Sequence, residues 1–184
     1  MARVYVGGPS GSGKTVACKT VAQELGISCL TGSEIMMRAS GVSTRDDLEQ
    51  LPESTKNELR LHAFESYYQS TPNLVIDGHF YLTETDIKYF DAYLFVEIDS
   101  ERLIEIRNSD DTRQRSTDRS VIDQEIVQLH ERVDKLESEF GIRVIRIKND
   151  STMDELTRSI EGAYLSAFSD ETRRELFIRG KERR

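Results

Sequence analysis

Short apolar runs alternate with longer amphipathic stretches along this chain. Arg3-Val4-Tyr5-Val6, Ile27-Ser28-Cys29-Leu30, Leu74-Val75-Ile76-Asp77, Ala92 to Ile98 and Arg143-Val144-Ile145-Arg146-Ile147 each read as a short strand. Between them lie helical stretches at Val16 to Leu25, Ser33 to Ala39 with Ser33 as its candidate cap, Glu53 to Gln69 and Thr83 to Phe90. A further helix, capped by Ser100, carries Leu103, Ile104 and Ile106. Val121 to Phe140 sets Ile122, Ile126, Leu129, Val133 and Leu136 on one stripe of a long helix, and Met153 to Phe168 forms a last one. Gly26 and Gly141 stop two of these helices, Pro52 starts another and Pro72 breaks it. Apolar strands separated by helices predict an α/β fold of three layers, a five-stranded parallel sheet with helices on both faces. In such a sheet the strand C-termini share one edge, and ligands bind there. No repeat and no linker divides the chain, so residues 1–184 read as one domain.

The first strand and first helix are joined by Gly8-Pro9-Ser10-Gly11-Ser12-Gly13-Lys14-Thr15. Gly, four residues, then Gly-Lys-Thr is the pattern of a phosphate loop, and strand–loop–helix is its setting. Glycines let the backbone N–H groups turn inward on phosphate oxygens, and the following helix adds the positive end of its dipole. Lys14 reaches the β- and γ-phosphates and the Thr15 hydroxyl ligates Mg²⁺. ATP and Mg²⁺ are therefore the expected cofactors, with Gly8 to Thr15 as their cradle.

A phosphate-loop enzyme also needs an acid near the metal and cations over the transferring group. Asp77 ends an apolar strand directly before Gly78, where a carboxylate can hold a Mg²⁺-bound water. His79 either touches substrate or only fixes its loop. Arg107, Arg113, Arg115 and Arg119 crowd one charged stretch that has almost no apolar content. Guanidinium groups match phosphate oxygens in pairs, so residues of about 108–119 suit a short Arg-rich lid that closes over nucleotide. Arg113 and Arg115 are its candidate catalytic cations, and Arg107 a candidate nucleotide contact. Thr31 and Gly32 follow the second strand and open a region, about 31–70, suited to an acceptor. Within it Arg38 either binds an acceptor phosphate or is a surface charge, and Met36 and Met37 read as core or pocket wall.

Composition narrows the partners. The net charge of −8 gives no general basic surface, so nucleic acid is not an expected partner, although a local arginine cluster can still hold a small anion. The longest apolar runs are far short of a membrane span and nothing at the N-terminus resembles a signal peptide, which predicts a cytoplasmic protein. Cys18 and Cys29 are too few for a disulfide framework or a zinc site and read as reduced core residues.

The order of these pieces resembles the nucleoside monophosphate kinases, specifically the archaeal type of adenylate kinase, from about residue 2 to 162. Ser33-Glu34-Ile35-Met36-Met37 resembles that family's Gly-Asp-Val-Met-Leu segment, and Asp77-Gly78-His79 is similar to its Asp-Thr-His. Asp110, Arg113 and Arg115 match its Asp-x-x-Arg-x-Arg lid. The resemblance implies transfer of the ATP γ-phosphate to AMP, with Mg²⁺ and a five-stranded parallel sheet; Thr31, Gly32, Arg38, Gly78 and His79, placed after the second and third strands, are the candidate acceptor residues. It also implies that a homo-oligomer is open to the chain, since members of that type can be trimeric. Two alternatives stand beside it: a kinase for CMP or another small acceptor, and an ATPase that assists assembly of an RNA–protein particle. The charged tail, residues 169–184, carries Phe177 and Ile178, which can dock on the domain or on a neighbouring subunit.

Overall fold

The computed structural model describes residues 2–79, 82, 84–110 and 115–168. Strand β1 (Ala2–Gly7) runs through the glycine-rich loop into α1 (Lys14–Leu25). Then come β2 (Ser28–Thr31), α2 (Gly32–Ser40), the short α3 (Arg45–Glu49), α4 (Glu53–Ser70) and β3 (Asn73–Gly78). The second half holds α5 (Glu84–Ile87), β4 (Ala92–Glu97), α6 (Ser100–Asn108), α7 (Arg119–Phe140), β5 (Val144–Lys148) and α8 (Met153–Ser166). Among the described residues the strands form one sheet in the order β2-β3-β1-β4-β5, and every pairing is parallel. The expected three-layer, five-stranded parallel architecture is what the chain adopts.

Alternation along the strands divides the core between the two faces. Val4, Val6, Val75, Leu94 and Val96 pack with Val21 and Leu25 of α1 and with Leu156, Ile160 and Tyr164 of α8. Tyr5, Leu74, Ile76, Tyr93 and Phe95 point the other way, onto Ile35 of α2, Ala63 of α4 and Leu129, Val133 and Leu136 of α7. Because both faces are covered, the inner strands are buried almost throughout, which is why they read as continuous apolar runs. A smaller cluster of Ile98, Leu103 and Ile122 fastens α6 to α7. No described helix is long and apolar enough to cross a membrane.

Local chemistry moves several element ends. Helix α2 is capped by Thr31, not Ser33: Thr31 Oγ1 accepts from Glu34 N at 3.1 Å and Glu34 Oε2 accepts from Thr31 N at 2.7 Å. Helix α6 is capped by Asp99, whose Oδ1 accepts from Arg102 N at 2.7 Å, while the Ser100 hydroxyl is spent on Asp123. In both places two capping residues stand within two positions of each other, and the one whose side chain reaches the third amide of the helix wins. Helix α7 starts at Arg119, two residues before the expected Val121, because Asp118 caps it. Helix α3, capped by Thr44, was not expected, and α5 is one turn rather than two. Cys18 is buried as expected, whereas Cys29 is only partly buried. Burial, then the nearby Asp77 carboxylate, pushes the Cys29 thiol up to about 12 and holds the Cys18 thiol high as well, so neither is a thiolate at neutral pH. The tail beyond residue 168 lies outside the described residues.

Leu94, on β4, is fully buried in the core cluster that α1 and α8 cover. Leu94→Ala is expected to lower unfolding free energy by about 2–5 kcal/mol, read from the shift in the midpoint of urea denaturation.

Candidate active site

Strand register assembles the site. In the parallel ladder Val6 stands opposite Asp77 and Gly7 opposite Gly78, while Thr31 pairs with Asp77 from the other side. Three strands therefore end level, and the loop Gly8 to Gly13, the turn Asp77-Gly78-His79 and the start of α2 open at one edge.

The loop adopts the tight form its glycines permit. Gly8 has φ +147°, and a Cβ there would stand 2.6 Å from the Val96 carbonyl oxygen. The Lys14 side chain folds back along the loop, donating from Nζ to Pro9 O at 2.7 Å and to Ser12 Oγ at 3.4 Å. It is 5% exposed. Burial draws its pKa down, and the carboxylates of Asp77 and Glu125 oppose that. The Thr15 hydroxyl donates to Asp77 Oδ2, so the candidate metal-binding pair is already in contact. These are hard oxygen donors beside a phosphate cradle, the set that suits Mg²⁺.

The turn after β3 is fixed from below. Tyr5, on the central strand, donates its hydroxyl to His79 O. Gly78 makes room for this: a Cβ there would lie 2.9 Å from Tyr5 Cζ. Burial, then the neighbouring Lys14 charge, lowers the His79 pKa to about 4, against partial compensation by Asp77 and Glu125. His79 is therefore neutral at physiological pH, and like Lys14 it feels the carboxylates of Asp77 and Glu125.

The arginines divide. Arg115 lies over the loop, where a Cβ on Gly11 would meet its Cδ and Nη1 at 3.4 Å, and it is ion-paired with Asp110. Arg113 lies outside the described residues. Arg107 is buried against the loop itself: Nε and Nη2 donate to Ser10 O at 3.1 and 2.8 Å, and Nη1 donates to Ser116 O at 2.9 Å. Its Nη2 also meets Glu125 Oε2 at 2.6 Å.

Thr31 and Gly32 sit at the start of α2, with Thr31 engaged in capping that helix. Arg38 is exposed on α2 and, with Glu34, Met37, Gly41, Val42 and Ser43, lines an open depression of about 290 Å³. Two loop supports escaped the sequence reading. Glu125 accepts from Ser10 N at 2.8 Å, and the buried Asn149 donates from Nδ2 to Ser12 O at 2.8 Å. Asn149 carried one usable signal, a polar residue just past the last strand, at the ligand edge. Glu125 had none, being one acid among many on α7.

The profile of an AAA domain family matches residues 7–122, which spans the phosphate loop, Asp77 and the start of α7. The chain belongs to this AAA domain family. Solved structures similar to this AAA domain include three shikimate kinases. That of Aquifex aeolicus is 17% identical with a TM-score of 0.65, over 89% of this chain and 96% of that one. That of Bacteroides thetaiotaomicron is 12% identical with a TM-score of 0.66, over 88% and 97%. That of Acinetobacter baumannii, in complex with shikimate, is 16% identical with a TM-score of 0.65, over 90% and 94%. At such identities the likeness establishes the fold, an α/β P-loop kinase fold. No curated protein matches the AAA domain in sequence.

The depressed His79 pKa carries a pH signature. Between pH 6.5, its unfolded value, and about 4, the unfolded chain binds a proton there that the folded chain does not. Stability is therefore full above this window and falls as pH drops through it. Denaturation midpoints measured from pH 7 to 4 should decline less steeply in His79→Asn than in the wild type. Parallel declines would mean that His79 protonates normally.

Proposed function

We propose that this protein is a Mg-ATP-dependent kinase that transfers the γ-phosphoryl group to a nucleoside monophosphate, with AMP the favoured acceptor, yielding two ADP. The observation that carries this reading is the contact of Thr15 with Asp77 beside the buried Lys14, with Arg115 over the same loop. Phosphoryl transfer asks for charge compensation and alignment more than for covalent chemistry, and this arrangement supplies both. Lys14 and the loop amides hold the donor phosphates. Thr15 and, through water, Asp77 would hold Mg²⁺, which would supply neutralisation of charge on the donor phosphates. Arg115, with Arg113 from the same lid segment, stabilises the transferring group. An acceptor phosphate oxygen attacks the γ-phosphorus as the bond to the bridging oxygen breaks, and ADP leaves.

AMP as acceptor is supported by the resemblance of residues 33–37, of Asp77-Gly78-His79 and of the Asp110, Arg113 and Arg115 spacing to archaeal-type adenylate kinase. In this reading Thr31, Gly32, Arg38, Gly78 and His79 surround the acceptor, the activity is cytoplasmic, and the active form is open to homo-oligomerisation. A second reading, a kinase for another small acceptor, is favoured by the fold likeness to shikimate kinases. It shares the donor site and differs in the acceptor pocket alone.

The test is ADP formation from Mg-ATP with AMP, CMP, UMP, GMP, shikimate or no acceptor, side by side. ADP made rapidly with AMP, in twofold yield per AMP consumed, is the expected result. Rapid turnover with another acceptor would replace AMP, and slow release of free phosphate regardless of acceptor would overturn the kinase reading in favour of an ATPase. Lys14→Ala should lose on the order of 10²-fold or more in kcat by removing a phosphate clamp, and an unchanged rate would sink the loop mechanism.

A further inference from the structure

Ser10 is held by side chains at both of its backbone groups. Its carbonyl takes two donors from Arg107 of α6, and its N–H donates to Glu125 of α7. Arg107 and Glu125 are themselves joined at 2.6 Å, with side chains 3% and 27% exposed. The third nitrogen of Arg107 reaches Ser116 O, on the residue that follows Arg115. One guanidinium therefore ties together the phosphate loop, the return of the arginine-rich segment and α7.

We propose that Arg107 and Glu125 are a positioning pair that sets the phosphate loop against Arg115, acting through Ser10 and Ser116 rather than on nucleotide. This rests on the reading that the loop binds Mg-ATP. All three guanidinium nitrogens are committed to protein acceptors, so a direct nucleotide contact from Arg107 would cost the loop its support. A planar fork of donors is required: one ammonium cannot serve Ser10 O, Ser116 O and Glu125 in fixed directions. Charge matters as well as geometry. Glu125 lies near enough to the phosphate site to act on both Lys14 and His79. Unpaired, its carboxylate would repel nucleotide phosphates, and Arg107 cancels that repulsion while Glu125 keeps hold of Ser10. The two residues therefore fail differently. Loss of Arg107 leaves a bare carboxylate at the loop, whereas loss of Glu125 leaves an unsupported amide.

Four readouts test this: Mg-ATP affinity by calorimetry, amide hydrogen exchange across residues 8–13, kcat and KM, and circular dichroism as a check of folding. Arg107→Met should weaken Mg-ATP binding on the order of tenfold or more, and Arg107→Met with Glu125→Gln should regain part of that loss by removing the stranded charge. Glu125→Ala should speed exchange of the loop and lower kcat by about 10–10²-fold with a smaller change in KM, since misplacement by an ångström is enough for that. Glu125→Gln, which still accepts from Ser10 N, should restore the protection that Glu125→Ala loses. Arg107→Lys keeps the charge, and serves if Arg107→Met does not fold; it should still loosen the loop. Losses that simply add in the double variant, or loop exchange unchanged in Glu125→Ala and Arg107→Lys, would overturn the proposal. A wild-type chain that binds Mg-ATP but phosphorylates no acceptor would sink the kinase reading alone, because binding and exchange still report on the pair.

Discussion

The parallel pairing of β1 with β3 is the constraint on which the rest depends. It sets Val6 level with Asp77, so that the strand leading into the phosphate loop and the strand ending in the acid finish together. A shift of one residue would turn Asp77 to the other face and break its contact with Thr15. The register is enforced by burial, since Val4, Val6, Leu74, Val75 and Ile76 are all fully buried and any slip would misplace them together. Site geometry is thus a by-product of core packing, and the chemistry rests on the part of the molecule least able to move.

Around that ladder the loop is braced by side chains from distant elements. Arg107 and Glu125 take Ser10, Asn149 takes Ser12, and Tyr5 takes the carbonyl of His79. The polar groups that hold the loop are themselves buried or half-buried, where each hydrogen bond is worth more and an unmet partner costs more. Rigidity here serves electrostatics: dipoles and charges fixed before a ligand arrives need not reorganise when charge shifts.

The sheet and its helices were legible because a parallel sheet covered on both faces writes itself as uninterrupted apolar runs. Val121 to Phe140 was legible because its stripe repeats over many turns. Helix α3 was not, since it buries only Leu48 and has no period to read. Thr31 and Asp99 cap where Ser33 and Ser100 were expected, because nearby residues that can all cap compete, and only geometry decides between them. At the site, Lys14, Thr15 and Asp77 stood out because a loop motif and a strand-end acid are local signals. Glu125 and Asn149 act across 115 and 137 residues of chain, and nothing near them in sequence announces it.

That separation has a consequence for how the protein is made. The phosphate loop leaves the ribosome before any of its braces, which emerge in succession, Arg107, then Glu125, and Asn149 only after β5. The nascent chain carries a complete nucleotide-binding motif long before it has a finished nucleotide-binding site. The edge that carries the loop is therefore completed late, when β5 docks and α8 covers the sheet. The same long-range wiring means that a chain cut short before its last strand would keep the motif and lack a buttress of the function.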